Sequence, residues 1–314
     1  MSDILKDIQK ELPRVINSAN FEGANIVLYT DDKEFLIDNQ GKIKELVNKF
    51  KKRIELRADS KLLKTQEETE KIIKDTIPKE AGLTEILFDP QRSIVVIEAK
   101  RPGLVIGKSG LILKDIKNNS FWIPQIQRSP AIKSKITESI RAVLYENNNT
   151  RKRFLNSVGK KIYKEWNPEK IEGWIRISFL GGGRQVGRSC LLLQTPQTKV
   201  LMDCGVNVAG KGKDKFPYLD VSEFKINELD AIILSHAHLD HSGLIPYLFK
   251  MGYRGPVYMT APTRDIAALL ALDFIGVAYK QAAAPLFSSI DVKEMVKHTI
   301  CLGYNEVSDI SNDM

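Results

Sequence analysis

Read by its alternation of apolar and polar positions, the chain changes character near residue 170. Ahead of that point the same succession occurs twice. Apolar residues recur at helical spacing over roughly residues 3–12 and again over 65–77. Strand-like runs follow, Ile26-Val27-Leu28-Tyr29-Thr30 in the first stretch and Val95-Val96-Ile97-Glu98-Ala99 in the second. Each set then has a loop between two helical stretches, at 35–42 and 104–111, and a last strand near 54–57 or 123–126. The two sets are offset by 69 residues and share the order helix-strand-strand-helix-helix-strand, so the pattern predicts a tandem duplication.

After residue 171 the pattern turns to short strands. Trp174-Ile175-Arg176-Ile177-Ser178-Phe179 alternates, Gly181-Gly182-Gly183 turns the chain, and Cys190-Leu191-Leu192-Leu193-Gln194 continues as strand. Residues 182–189 nearly spell a phosphate-binding loop, but such a loop opens a helix and this one opens a strand, so a hairpin is the reading. Lys199-Val200-Leu201-Met202 is a further strand that delivers Asp203 and Gly205 at its end. Ala231-Ile232-Ile233-Leu234 reads as a buried strand. Residues 244–249 and 265–278 read as helices, the first with Pro246 where an opening turn tolerates it.

Charge separates the same regions. Residues 1–150 carry +4, residues 151–170 carry +5 and residues 171–314 carry −1, out of a net +8. A basic first half suits a phosphate-backbone partner, though a solvated lysine-rich surface has the same composition. The run from Arg151 to Trp166-Asn167-Pro168 is read as a basic linker, with a helix ending before Pro168, either a solvated face or an RNA contact. Three cysteines, Cys190, Cys204 and Cys301, form no Cys-x-x-Cys pair and argue for a reducing, cytoplasmic setting. The N-terminus lacks signal-peptide character, and no apolar run approaches the ~20 residues of a membrane span.

Two motifs carry chemistry. Gly107-Lys108-Ser109-Gly110 joins two helical stretches; its glycines let the backbone approach a sugar-phosphate chain, Lys108 adds charge, and Val105-Ile106 suits a groove floor for bases. In the first set Asp38 replaces the first glycine and only Gly41 remains, so that copy is structural or binds by another surface. The second motif is Ser235-His236-Ala237-His238-Leu239-Asp240-His241-Ser242-Gly243, between a strand and a helix, with three of the chain's four histidines. In an extended stretch His236, His238 and Asp240 share a face, and His241 turns with the helix. This predicts an imidazole–imidazole pair and a carboxylate–imidazole pair. These are donors that zinc takes in open sites, and paired metals can clamp a displaced phosphate. His298 and Cys301 are either further donors or, more simply, packed and exposed side chains.

Gly-x-x-Gly within this element order resembles the type II KH domain. Ser-His-Ala-His-Leu-Asp-His-Ser-Gly resembles the His-x-His-x-Asp-His signature of the metallo-β-lactamase fold, and residues 253–265 resemble its β-CASP ribonuclease branch. Together the chain is similar to the archaeal homologues of the cleavage and polyadenylation specificity factor, which act in transcription termination. The resemblance implies an α+β chain: a degenerate KH-like domain (1–64), a KH domain (65–150), the basic linker (151–170) and the N-terminal half of a metallo-β-lactamase αββα sandwich (171–314). It implies a zinc-dependent ribonuclease that cuts single-stranded RNA endonucleolytically, with 5′-to-3′ trimming. Two Zn2+ would be held by His236, His238, Asp240 and His241, with Asp240 and Asp203 as the catalytic carboxylates, Asp203 orienting the site. RNA would bind at Gly107, Lys108, Ser109 and Gly110. RNA polymerase and its elongation factors would be partners, and the full-length family forms homodimers.

The family proteins continue past residue 314, so the remaining metal motifs and the β-CASP lid are expected beyond it. On that count residues 1–314 are expected to hold zinc weakly and to show no turnover. Ile232, Leu234, Leu244 and Leu248 are expected to be partly uncovered. A non-catalytic KH protein and a small-molecule metallohydrolase are the alternative functions.

Overall fold

The computed structural model describes residues 4–12, 15–39, 41–129, 134–164 and 173–314. Gln40 of the first loop and the Trp166-Asn167-Pro168 end of the basic run lie outside the described residues. The chain forms two compact units, residues 1–133 with 148–160, and residues 134–147 with 161–314.

In the first unit the duplication is built element for element. The first copy runs α1 (Ile4–Glu11), β1 (Ser18–Glu22), β2 (Asn25–Thr30), α2 (Lys33–Ile37), α3 (Lys42–Phe50) and β3 (Ile54–Ala58). The second runs α4 (Gln66–Thr76), β4 (Leu83–Asp89), β5 (Ile94–Ala99), α5 (Pro102–Ile106), α6 (Leu111–Ser120) and β6 (Ile123–Arg128). In each copy the middle strand pairs antiparallel with the strand before it and parallel with the last. Local chemistry sets the ends. Asp32 accepts the Phe35 N–H at the start of α2, and Thr65 with Glu68 forms a capping box on α4. Apolar at every position but Glu98, β5 is buried along its length because helices cover it and strands flank it. Ile73, Ile97, Val105, Ile116 and Trp122 close the core of the second copy, where Trp122 donates its indole N–H to the Lys64 carbonyl at 2.9 Å.

Buried ion pairing joins the two copies. Arg57 on β3 is 2% exposed and grips Glu22 on β1 with two bonds, at 2.7 and 3.1 Å. Arg92, in the β4–β5 turn of the other copy, grips the same carboxylate at 2.9 and 2.6 Å. Arg57 also donates to the Arg92 carbonyl, and Ser93 donates to the Ala58 carbonyl. Two guanidiniums thus satisfy one buried carboxylate, which is how a buried charge escapes its desolvation cost.

Next come α7 (Lys135–Glu146) and α8 (Asn148–Ile162). Residues 148–160 pack on the first copy: the Leu155 main-chain carbonyl accepts the Gly23 N–H, and the Asn156 side-chain Oδ1 accepts the Phe21 N–H. A Cβ on Gly159 would stand 2.2 Å from the Phe21 Cβ, so only glycine lets this helix sit so close.

In the second unit a mixed sheet contains β7 (Arg176–Gly181), β8 (Cys190–Gln194), β9 (Lys199–Met202), β10 (Ala231–Ile233), β11 (Val257–Met259) and β12 (Thr299–Cys301). Its order is β12-β11-β10-β9-β8-β7. β9 to β12 are parallel; β7 and β8 form the expected antiparallel hairpin. Helices α9 (Leu239–Ser242), α10 (Ile245–Lys250), α11 (Ala261–Lys280) and α12 (Ser289–Lys297) complete the unit. One core joins Leu192, Leu201, Ile232 and Val257 of the sheet to Leu248, Phe249, Ala268 and Met295 of the helices, with Ile140 of α7 among them.

This corrects the expectation that Ile232, Leu234, Leu244 and Leu248 stand partly uncovered: none is more than 3% exposed. The pattern of the strands does not say which face helices will cover, and α7, lying far off in sequence, helps cover this one. The opposite face carries the open apolar surface. Register aligns Phe179, Leu191, Met202, Ile233, Tyr258 and Ile300 across the whole sheet. Leu302, Ile310 and Met314 pack against its β10–β12 side, while Ile177 and Phe179 on β7 are 54% and 69% exposed. Among the described residues no helix is long and apolar enough to cross a membrane.

Burial alone would raise the pKa of Glu22, but Arg92 and Arg57 outweigh it and hold it at about 2, down from 4.5. A depressed carboxyl stabilises the fold fully above its unfolded pKa and loses that contribution as pH falls toward the folded value. The first unit should therefore lose stability as pH falls from about 4.5 to about 2. Glu22→Gln should flatten that part of the curve and cost about 3–5 kcal/mol at neutral pH, because two guanidiniums are left facing a neutral amide. Urea unfolding of both chains across this range measures it; a variant as stable as wild type at pH 7 contradicts it.

Candidate metal and RNA sites

The histidine loop lies where parallel strands end side by side. Asp203 follows β9, and the loop from Leu234 follows its neighbour β10. Main-chain bonds tie the two segments together. Cys204 N–H donates to the His241 carbonyl at 2.8 Å and Val206 N–H to the Leu239 carbonyl at 2.9 Å. Ser189 N–H, at the foot of β8, donates to the Asp240 carbonyl, and its own carbonyl accepts from Gly205. The approach is so close that a Cβ on Gly205 would fall 1.7 Å from the Asp240 carbonyl oxygen.

Asp203 is 7% exposed and sits at φ +59°, a left-handed backbone that aspartate tolerates better than most residues. Its carboxylate accepts three bonds: from Ser235 N–H at 2.8 Å, from Ser235 Oγ at 2.9 Å and from His241 Nδ1 at 2.7 Å. These bonds assign the tautomers. A carboxylate only accepts, so His241 carries its proton on Nδ1 and leaves Nε2 with a lone pair. Ser235 spends its proton on Asp203, so its oxygen accepts from His236 Nδ1 at 3.1 Å, and the Nε2 of His236 is likewise left with a lone pair.

Those lone pairs face partners. His236 Nε2 lies 3.2 Å from His238 Nδ1, and His241 Nε2 lies 3.6 Å from Asp240 Oδ2. Two donors at about 2.0–2.1 Å on one tetrahedral zinc stand roughly 3.3–3.4 Å apart, so both separations suit a shared ion. His236 with His238 and Asp240 with His241 are thus neighbours, and their donor types are ones zinc takes. The donors gather in pairs: among the described residues, no group of three or more His, Cys, Asp or Glu could hold a metal ion.

The local path differs from the extended run expected. α9 begins at Leu239, with His238 as its cap, so Asp240 lies in a helical turn. His238 and Asp240 also line a cavity of about 500 Å3. His298 is packed against Phe249 and bonded to the Glu294 carbonyl, and burial lowers its pKa. Cys301 is exposed and 3.6 Å from the Arg264 guanidinium. Cys204 is fully buried; its neighbour Cys190 and that burial push its thiol well above its ordinary range, so it stays protonated. Ser235 was not singled out by sequence reasoning; its place directly before the first histidine was the available signal.

In the first unit the Gly107–Gly110 loop joins α5 to α6 through backbone that only glycine or a strained residue adopts. Gly107 has φ +73° and Gly110 φ +77°, with Ser109 between them at φ +53°. A Cβ on Gly107 would also meet Ile112 Cγ1 at 2.8 Å. Leu104, Ile106 and Leu111 are 40%, 40% and 58% exposed around the loop. Val105, expected in the groove floor with Ile106, is instead fully buried in the core, because on the short α5 its side chain turns to the sheet. In the first copy Gly41 keeps φ +80°, but Asp38 takes φ −136° and does not make the turn that Gly107 makes at φ +73°.

Residues 1–63 match the family model described as "Transcription termination factor FttA, KH domain". Residues 68–121 match a KH domain and residues 183–251 the metallo-β-lactamase superfamily. The chain is 45% identical over 317 residues to transcription termination factor FttA of Methanothermobacter thermautotrophicus, covering 100% of this chain and 50% of that protein. It is 44% identical over 315 residues to that of Methanosarcina mazei (99% and 49%) and 40% identical over 313 residues to that of Lokiarchaeum sp. (99% and 48%). The chain spans about half the length of these relatives.

Gly205→Ala should force the β9 end away from the histidine loop, at a cost of about 1–3 kcal/mol or more. Amide exchange at Ser189, Cys204 and Val206, whose N–H groups donate across the seam, should accelerate. Unchanged protection at those amides contradicts the close-approach account.

Proposed function

We infer that this chain, which joins two KH domains to the N-terminal portion of a metallo-β-lactamase domain, is the RNA-holding and metal-holding part of a zinc-dependent ribonuclease for single-stranded RNA. The observation that carries this is the two donor pairs at 3.2 and 3.6 Å, with the His241 proton held on Nδ1 by Asp203 and the His236 proton on Nδ1 by Ser235. His236 and His238 would hold one zinc; Asp240 and His241 would help hold a second. Zinc, when bound, supplies Lewis acidity toward a phosphodiester. Asp203 keeps the His241 proton on Nδ1 and fixes the ring, as outer partners of metal-bound histidines do. Gly107, Lys108, Ser109 and Gly110 would clamp the sugar-phosphate chain of an unpaired strand, with bases against Leu104, Ile106 and Leu111. Cleavage is endonucleolytic with 5′-to-3′ trimming. By likeness to relatives named as termination factors, the substrate is the nascent transcript, with RNA polymerase and its elongation factors as partners.

A KH protein that binds without cutting is the second reading. It is favoured by one observation, that the donors gather in pairs and not trios among the described residues.

The test measures zinc affinity by equilibrium dialysis and RNA affinity by fluorescence anisotropy on the same preparations. Asp203→Asn should lower zinc affinity about 10–100-fold and leave RNA affinity unchanged. Lys108→Asp with Ser109→Asp should lower RNA affinity about tenfold or more and leave zinc uptake unchanged, whereas Asn39→Asp in the first copy should do neither. Full zinc affinity in Asp203→Asn, or equal RNA losses from the two loops, would overturn the reading.

A further inference from the structure

The cavity beside the histidine loop has walls that the metal chemistry does not use. Val186, Val208 and Leu270 are aliphatic, Asn207 is polar, and the cavity shares His238 and Asp240 with the donor pairs. At about 500 Å3 it falls in the size range of sites for small organic groups, roughly 300–1,000 Å3. Val186 and Val208 are 88% and 64% exposed, apolar surface held out to water at its mouth. The wall is built by close approach: Gly187 has φ +96°, and a Cβ there would meet Asn207 Cα at 2.9 Å.

Asn207 is oriented. Its carbonyl oxygen accepts the Ala209 N–H at 3.2 Å, so its amide NH2 points the other way and has no acceptor among the described residues. The segment it begins is fixed at both ends, with Asn207 N–H on the Lys215 carbonyl and Arg188 on the Phe216 carbonyl. That segment carries Lys211, Lys213 and Lys215 against one acid, Asp214, in a region whose overall charge is −1. Lys211 and Lys213 are exposed. An aliphatic slot and an amide-bearing side chain therefore adjoin residues that would hold metal against a phosphodiester, and the segment that follows Asn207 is basic.

We propose that this cavity receives one unpaired base of the RNA strand, next to the phosphate to be cut. Resting on the function proposed above, it deepens that reading by naming what the second unit itself grips. The base lies flat between Val186, Val208 and Leu270. The Asn207 amide donates to a ring carbonyl or ring nitrogen, and Lys211 and Lys213 face the flanking phosphates. Aliphatic walls and one amide tolerate several bases, and only an unpaired base offers both faces.

The experiment is photo-cross-linking of the whole chain to single-stranded RNA bearing one 4-thiouridine, moved along the strand, with cross-linked peptides mapped by mass spectrometry. Cross-linking reads contact without requiring cleavage. The expected result is two sets of peptides, one spanning residues 104–111 and one spanning 207–213. Val208→Trp fills the slot from an exposed position and should cut the second set about tenfold while leaving the first. Asn207→Asp keeps the acceptor for Ala209 N–H but removes the donor, and should cut the second set about fivefold. Cross-links confined to 104–111, or a second set indifferent to Val208→Trp, overturn the cavity assignment and leave the KH reading standing. Cross-links at neither place overturn both.

Discussion

The Asp203 carboxylate sets the chemistry of the second unit. It is nearly buried, and three donors converge on it from Ser235 and His241. A buried carboxylate can persist only if its lone pairs are filled, and filling them here decides where two imidazoles keep their protons. The Nε2 atoms of His236 and His241 are thereby left with lone pairs, facing His238 Nδ1 and Asp240 Oδ2. The rest of the site follows from bringing Asp203 this close. Gly205 exists to let the strand end pass the loop, and the main-chain bonds from Ser189, Cys204 and Val206 hold the seam shut. Rigid backbone on both sides positions ligands that sit on a loop, and preorganised ligands bind metal without an ordering cost.

The first unit solves a different problem with the same physics. Two small copies, each with a thin core, must hold one arrangement. Glu22 takes bonds from Arg57 of its own copy and Arg92 of the other, so separating the copies would strand charges inside the protein. The penalty for breaking such a cluster exceeds its net gain from forming, which favours a single geometry over a loose pair. In the other unit an apolar pattern does the equivalent work: helices bury one face of the sheet, while Ile177 and Phe179 remain open on the other.

Much of this was legible in the sequence, for identifiable reasons. Regular elements repeat at a 69-residue offset because a duplicated fold repeats its hydrophobic period, and β2 with β5 and α3 with α6 begin 69 residues apart. The histidine loop was legible because ligand spacing along one short segment needs no tertiary information. Where side chains meet across long separations, the sequence was silent. Glu22 with Arg92 and α7 with the sheet's helices are such cases. Val105 was misread because a five-residue helix has too few turns for its buried side to show as a period. The cavity at Asn207 was invisible because its walls come from four segments that only the fold assembles.

X-ray absorption at the zinc edge, on the zinc-loaded chain and on His238→Ala, tests the central claim most directly. The account predicts nitrogen and oxygen neighbours at about 2.0–2.1 Å, no sulfur near 2.3 Å, and a weaker imidazole scattering pattern in the variant, since His236 and His241 remain. Sulfur in the shell, or a spectrum unchanged by His238→Ala, would show that the metal lies elsewhere and that the Asp203-directed histidines do not hold it.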